Sequence, residues 1–323
     1  MRVLTVLCWV ALLAVLAPAV VLTVNRLVEP SWGPAIRAEA FTPLGLPLYA
    51  AALTGLAVAL VLADGNRGPL VAVAVLCALG LGVHAWWWSP EVLGGDPAPP
   101  ATADRLVVMT ANLFEGRGDA GQLVAAVRDA DADILVVEEI THEALADLDA
   151  AGLPDLLPHR AGSPGDAVEG TMVFARRPVG ATTRLGTNLG SWEVEVGPVT
   201  VLAVHPAAPT LPDAWRDDHA TILAATRATR PDLVVGDLNA TDDHAPLRAL
   251  ADAGWRDAAR LAHQGWQPTW PAHGLFSVLG IPLPPVTRID HVLVGPGWSS
   301  LGTRTVTIDG TDHRAVVAEV ARS

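Results

Sequence analysis

The sequence predicts a chain in two parts, three membrane-length helices followed by an α/β domain. Composition gives the first observation. Residues 1–100 are strongly apolar, with four arginines and five acids, while residues 101–323 hold the other 17 arginines and 29 acids, a net of −12, and there is no lysine anywhere. Second, the apolar part contains three uncharged runs, each close to the roughly 20 residues needed to cross a bilayer. Third, after Asp104 short β-branched runs alternate with segments of helical period, and several of the strand-like runs carry Asn, Asp, Glu or His at one end.

The first run is Val3–Val24, the second Pro43–Ala63 and the third Pro69–Trp88, with His84 as its polar titratable residue. Leu-Ala-Pro-Ala-Val at the end of the first resembles a signal-peptide cleavage site, but two further spans make the membrane assignment independent of cleavage. The loop Asp64–Gly68 carries Arg67, which tips the orientation toward that face being cytoplasmic. Three spans then put the C-terminal domain on the extracytoplasmic side of a multi-pass cell-membrane protein, with Trp86-Trp87-Trp88 as its interfacial belt. Both cysteines, Cys8 and Cys77, fall inside spans and read as small apolar packing residues. Ser89–Ala103, rich in Pro and Gly, reads as a linker, which places domain boundaries at 1–88, 89–103 and 104–323.

In the domain, Arg105–Thr110 reads as a strand closing in Ala111-Asn112-Leu113. A helix is expected over Ala120–Asp131, from the spacing of Leu123, Val124 and Val127. Asp133–Glu139 is an apolar strand ending in two acids. Thr141–Ala151 follows as a helix with Thr141 as N-cap. Gly170–Arg176 reads as a strand, and Trp192–Val196 with Val199–Val204, joined by Gly197-Pro198, as a hairpin. After a helix over Trp215–Arg227 comes Asp232–Asn239, a buried strand stopped by Gly236-Asp237-Leu238-Asn239. On an extended backbone Asp237 and Asn239 point the same way. A helix over His244–Ala253, the run opening at Arg288-Ile289-Asp290-His291, and a strand over Ala315–Val320 just after Thr311-Asp312-His313 complete the pattern.

In this order, these strand ends resemble the endonuclease/exonuclease/phosphatase superfamily, the fold of DNase I, abasic endonucleases and neutral sphingomyelinases. The resemblance runs from about Asp104 to the C-terminus and implies a DNase I-like four-layered α/β sandwich. It also implies a set of roles. Glu139 is the metal-binding acid, with Asn112 beside it and Asp312 joining through water. Glu138 stands where the family usually has Gln, so the choice between the two acids stays open. His313 touches the scissile phosphate or takes a proton from the attacking water, oriented by Asp290. His205 is the leaving-group acid, although Pro206-Ala207-Ala208-Pro209 departs from the usual continuation. Asp237 positions or deprotonates the water, and Asn239 hydrogen-bonds a non-bridging oxygen. Whether His313 or Asp237 is the base is open, as is one metal or two. An oxygen-rich set without a Cys or His cage suits Mg²⁺, or Mn²⁺, better than zinc.

Thr269-Trp270-Pro271 and the proline-rich stretch after His205 resemble a branch of membrane-anchored bacterial members. That branch includes the VanJ-type proteins associated with teicoplanin resistance. It implies a cell-envelope phosphate ester or lipid pyrophosphate as substrate, such as undecaprenyl pyrophosphate. The acidic, lysine-free domain argues against nucleic acid, whose binding draws on basic side chains. Gly274–Val286 is an uncharged apolar loop that would meet the bilayer or a lipid chain. The expected partners are therefore a phosphorylated small molecule or lipid-linked substrate and the membrane itself, with oligomeric state open. Two other readings stand beside this one: an extracellular nuclease on the same fold, and an inactive lipid-headgroup-binding module.

Overall fold

The computed structural model describes residues 2–63, 66–93, 104–272, 274, 277–278 and 280–322. It divides into two compact units, Met1–Pro90 and Glu91–Ser323.

The first unit is built on three long helices, Arg2–Val28, Gly45–Leu62 and Gly68–Trp88, with a short helix Gly33–Glu39 between the first two. All three are long and apolar enough to cross a membrane. Ala19, Tyr49, Ala52, Leu56 and Cys77 pack at their centre, whereas Leu13, Val61, Leu76 and Leu79 face outward. Apolar residues on the outside are what a bilayer requires and water penalises. Hydrogen bonds tie the helices together. The Thr23 hydroxyl lies 2.8 Å from the Tyr49 hydroxyl and 2.9 Å from His84 Nε2.

The second unit contains two six-stranded sheets. In chain order its strands are β1 (Arg105–Asn112), β2 (Ile134–Glu138), β3 (His159–Ser163), β4 (Thr171–Ala175), β5 (Val179–Arg184), β6 (Trp192–Val196), β7 (Val199–Ala203), β8 (Leu233–Asp237), β9 (Arg256–Asp257), β10 (Ser277–Val278), β11 (Ile281–Pro282), β12 (Asp290–Val294), β13 (Trp298–Thr307) and β14 (Arg314–Arg322). One sheet runs β13-β14-β1-β2-β4-β3, the other β5-β6-β7-β8-β12-β9, and β10 with β11 forms a small hairpin. Pairing is parallel at the two central pairs, β1 with β2 and β7 with β8. Of these strands β2 and β8 are buried throughout and open as runs of Val, Ile and Leu.

Val108, Ile134, Val136, Val201, Leu233, Val235 and Val292 fill the space between the sheets. On the opposite face of the first sheet, Met109, Leu135 and Val137 pack with Leu123, Val127, Ala144 and Leu148 of the helices Ala120–Ala130 and His142–Ala150. Each helix starts on a side-chain cap: Asp119 accepts from the Gln122 amide, and Thr141 from that of Ala144. With the helices Pro212–Thr229 and Ala245–Asp252, this is the expected four-layered α/β sandwich. The hairpin, both central strands and the Thr141 cap fall where the sequence places them. The strands β3, β5 and β13 were not anticipated.

The expected linker does not begin as a free tether. Ser89–Glu91 forms a 3₁₀ turn, and residues 94–103 lie outside the described residues. Both Glu91 carboxylate oxygens accept from the guanidinium of buried Arg288, at 3.0 and 2.9 Å, and the Glu91 carbonyl accepts from Gly265 N–H. Glu91 is thus part of the second unit, although composition places the boundary at Asp104. A fragment beginning at Asp104 is expected to be less stable in urea than one beginning at Ser89, by about 1–3 kcal/mol, the cost of leaving a buried charged donor short of an acceptor. Glu91→Gln in the longer fragment should reproduce most of the loss. Equal unfolding midpoints for all three would show that the contact contributes nothing.

Candidate active site

The inner faces of four strands run on from apolar core into polar residues. β1 contributes Leu106 and Val108 to the inter-sheet core, β2 Ile134 and Val136, β8 Leu233 and Val235, and β12 Val292 and Val294. Side chains on a strand alternate with a period of two, so the same faces next present Thr110 and Asn112, Glu138, Asp237 and Asp290. Register brings them level, with Asn112 opposite Glu138 and Asp237 opposite Asp290. Gly236 has no room for a side chain here, because a Cβ would collide with the Val204 carbonyl.

The candidate residues meet at this polar end. His313 Nδ1 lies 2.9 and 3.1 Å from the two oxygens of Asp290. His313 Nε2 is 3.8 Å from both Asp237 Oδ2 and Asp312 Oδ1. His205 Nε2 faces Asp237 Oδ2 at 3.8 Å and Glu139 Oε1 at 3.9 Å. Asn112 bridges two acids, its Nδ2 donating to Glu139 Oε1 and Asp237 Oδ2, each at 3.0 Å. Its Oδ1 accepts from Phe114 N–H, so Asn112 donates between two carboxylates while its oxygen keeps one lone pair.

Asn239 differs from the sequence expectation. The strand ends at Asp237, and Asn239 is left-handed with φ 47. Its own N–H turns back to Asp237 Oδ1 at 2.8 Å, and its Nδ2 donates to the Pro206 carbonyl. An Asx-type turn thus replaces extended backbone, a conformation Asn tolerates better than most residues. Glu138 and Glu139 separate cleanly. Glu138 is the last residue of β2, fully buried and accepting from the Thr110 hydroxyl, while Glu139 turns out of the strand at φ 53 toward Asn112. The geometry therefore favours Glu139 as the acid open to a ligand.

Burial crowds the acids. It raises the pKa of Glu139, against hydrogen bonds from Asn112 and Glu115. Burial pushes Asp237 up to about 7, helped by the charges of Asp290 and Glu139 and opposed by His313. Glu138 is raised well above the carboxylate range by desolvation and by Asp290 and Asp237. Burial alone would lower His313, but the surrounding Asp290, Asp237 and Asp312 raise it to about 10. His205 goes the other way, down to about 3, through burial and the charge of His313. The surroundings thus favour the charged form of His313 and the neutral form of His205.

The donor set fits a divalent cation. Asp237, Asp290 and His313 offer ligand atoms within 4.8 Å of one another, and Asp312 Oδ1, 3.8 Å from His313 Nε2, is buried without a hydrogen-bond partner. Hard cations of the Mg²⁺ class take such oxygen ligands. A second cluster, Asp242, Asp257 and His291, has metal-like spacing, but the Arg288 guanidinium already sits against its two acids.

Several supporting residues carried little sequence signal. Trp270 Nε1–H donates to Asp312 Oδ2 at 3.0 Å, which leaves Oδ1 facing the site. Thr269 Oγ1 accepts from the Ile289 and Asp290 amides, and Thr311 Oγ1 donates to the Asn112 carbonyl. Trp215 Nε1–H donates to the Asn239 carbonyl at 2.9 Å. Only Thr269-Trp270-Pro271 stood out in the sequence, and no role came with it.

Beside Trp215 lies His219, its rings 4.8 Å apart, with neither ring nitrogen hydrogen-bonded and burial lowering its pKa to about 3. Below pH 6.5 the unfolded chain binds a proton that folded His219 refuses, so its contribution to stability is lost as pH falls from there toward 3. Between pH 7 and pH 5 this amounts to about 2 kcal/mol. His219→Phe is expected to reduce the loss of unfolding free energy over that interval by about this amount. Identical losses in both proteins would show that His219 titrates normally in the fold.

By sequence, no curated protein matches the chain. Solved structures share the fold. A 3′ phosphatase, NExo, from Neisseria, bound to product DNA hairpin, superposes with TM-score 0.54 at 20% identity, over 66% of this chain and 98% of that one. An AP endonuclease from Archaeoglobus fulgidus gives TM-score 0.54 at 14% identity, over 66% and 98%. TDP2 from D. rerio, complexed with single strand DNA product, gives 0.52 at 14%, over 67% and 99%. The sequence pattern of one family spans residues 109–313, from β1 through His313 and so across the whole site. The chain is a member of the endonuclease/exonuclease/phosphatase family.

Proposed function

We propose that this chain is a membrane-anchored, Mg²⁺-dependent phosphohydrolase of the cell envelope, akin to the VanJ-type branch. Its substrate would be a phosphate ester or a lipid pyrophosphate such as undecaprenyl pyrophosphate. One observation carries the reading: a chain with three membrane-length helices also holds a buried Asp290–His313 pair among carboxylates. His313, ringed by Asp290, Asp237 and Asp312, keeps its proton and faces the phosphoryl oxygens as a cation. Asp237 takes the proton of the attacking water, His205 serves the leaving group, and the Asn239 amide steadies a non-bridging oxygen. Glu139 and Asp312 would hold the cation, which neutralises charge on the phosphoryl group. Mn²⁺ would serve the same donors.

The catalytic unit is read as extracytoplasmic, within reach of lipid-linked phosphates. The β10–β11 hairpin fits this reading, since Ile281 is 69% exposed at its tip. Leu279, in the same apolar loop, lies outside the described residues. A nuclease is the second reading, favoured by structural neighbours bound to DNA. An inactive headgroup-binding module is disfavoured, because every candidate catalytic residue is present and the candidates converge.

His313→Ala is expected to slow turnover by roughly 10²–10³, the range typical of losing a group that stabilises transition-state charge, with Asp290→Asn nearly as severe. Thermal unfolding should move little in either variant. A loss of activity matched by a loss of stability would make the pair structural.

The substrate test uses purified protein in detergent with undecaprenyl pyrophosphate, a soluble phosphate ester and duplex DNA. The lipid should be hydrolysed faster than DNA, all activity should disappear in EDTA or in Glu139→Ala, and Ile281→Asp should slow the lipid reaction more than the soluble one. Faster DNA cleavage, or full activity in EDTA, would sink the proposal.

A further inference from the structure

The loop after Asn112 is left-handed for three residues in succession, Phe114 (φ 49), Glu115 (φ 54) and Gly116 (φ 75). Phenylalanine and glutamate rarely adopt this conformation. Strain of this kind persists where surrounding contacts enforce it, and it clusters at functional sites. Here the site itself does the enforcing. Phe114 N–H donates to Asn112 Oδ1, and Glu115 N–H to Glu139 Oε2, each at 2.8 Å. Gly310, three residues before His313, lies so close to the Arg117 carbonyl that a Cβ would collide with it. The loop is clamped between the Glu139 side and the His313 side of the centre.

What the strained loop presents is a guanidinium. Arg117 Nη2 lies 2.6 Å from Glu115 Oε2, and its carbon sits 4.6 Å from the centroid of the Phe114 ring. Among the described residues Glu115 is its one hydrogen-bonding partner, and the side chain remains 57% exposed. A guanidinium carries five N–H donors in a fork suited to phosphate, so most of them point to solvent. The surroundings are acidic: Glu115, Glu139, Asp237, Asp290 and Asp312 all lie on this loop or in the centre it borders. A substrate with one phosphoryl group can be neutralised inside that centre. A second phosphoryl group, projecting outward, would face those acids without a cation of its own.

Given the phosphohydrolase reading, on which the assignment rests, we propose that Arg117 binds the second, non-reacting phosphoryl group of a diphosphate ester and so selects diphosphates over monophosphates. In the reaction water adds to the terminal phosphorus and the bridging P–O bond breaks. Inorganic phosphate and a monophosphate ester leave, the proton lost by water ending on the products. Arg117 holds the non-reacting phosphoryl group alike before and during bond breaking, so its contribution falls on KM.

The test uses the full chain in detergent with Mg²⁺ and two substrates of one tail, farnesyl diphosphate and farnesyl monophosphate. In Arg117→Ala the ratio of kcat/KM for diphosphate to that for monophosphate should fall about tenfold or more, the scale of one charge-assisted hydrogen bond, and chiefly through KM. Arg117→Lys should recover part of the ratio, since it keeps charge but not the fork. A ratio that stays put in Arg117→Ala, whether both activities fall together or neither changes, would overturn the assignment and leave Arg117 at most a loop prop. Calorimetric titration with methylenediphosphonate against methylphosphonate separates the two readings. Should the wild type hydrolyse neither ester, the phosphohydrolase reading falls, and the titration alone decides the role of Arg117. Tighter diphosphonate binding that is lost in Arg117→Ala supports that role; the same preference in both proteins refutes it.

Discussion

The alternation of side chains along four neighbouring strands is the constraint on which the centre depends. Leu233 and Val235 face the partner sheet, and Asp237 must then do the same; Val294 and Val292 fix Asp290 in the same way. Moving any of these strands by one residue would turn a carboxylate out of the centre and an apolar side chain out of the core. Packing and chemistry are therefore set by one register. The cost is a group of acids withdrawn from water, and few donors offset it. Asn112 gives both its amide hydrogens to Glu139 and Asp237, and His313 serves Asp290. Asp312 Oδ1 and Glu138 Oε2 remain without partners. Such an arrangement is poorly balanced alone and well suited to accept a cation.

β12 is used twice because adjacent residues point to opposite faces. Asp290 looks inward and orients His313, while His291 looks outward. His291 Nδ1 meets Asp257, and its Nε2 lies 2.9 Å from the Ala240 carbonyl. Burial opposes the charge on both members of this second pair. Even so, the Asp257 hydrogen bond and charge raise the pKa of His291, and Arg288 with His291 holds Asp257 well below the usual carboxylate range. The contact at His291 Nε2 fixes Ala240, while Trp215 Nε1–H fixes Asn239. The turn after β8 is thereby held by Trp215 and His291 through the carbonyls of Asn239 and Ala240. Arg288, two residues before β12, joins Glu91, Asp242 and Asp257, and so ties this support to the first residue of the second unit.

Much of this was legible in the sequence because it follows from periodicity. Strands such as Leu233–Asp237 and Ile134–Glu138 are apolar runs with an acid at the end, and both faces are buried, so nothing competes with the pattern. β5 was missed for the opposite reason: Gly180 to Arg184 is exposed, and its small and polar residues carry no alternation. β13 mixes Ser, Thr, Arg and Gly, with a register shift between Ser300 and Gly302. The roles expected of His205, Glu139, Asp290 and His313 came from the family resemblance, which residue types at strand ends suggested. Their distances did not, since turns such as those at Glu139 and Asn239 are set by partners distant in sequence. The tie between Glu91 and Arg288, 197 residues apart, leaves no local trace at all.

Charge distribution and membrane attachment bear on the same question from different directions. Residues 101–323 carry a net of −12 without a single lysine, which sets long-range repulsion against any polyanion. Screening confines that repulsion to about 8–10 Å at physiological salt, so it weighs most on extended chains that lie across the surface. A compact phosphoryl group meets only the centre, where His313 supplies a positive charge and the carboxylates invite a second from a metal. Three helices are long and apolar enough to cross a membrane, and attachment through them would act at longer range, raising the encounter rate with anything held in the same bilayer. Free nucleic acid gains nothing from that confinement and loses to the charge. Under the proposed function a membrane-held phosphate would gain from the first and largely escape the second, so both physical terms favour the substrate class proposed above over an extended polyanion.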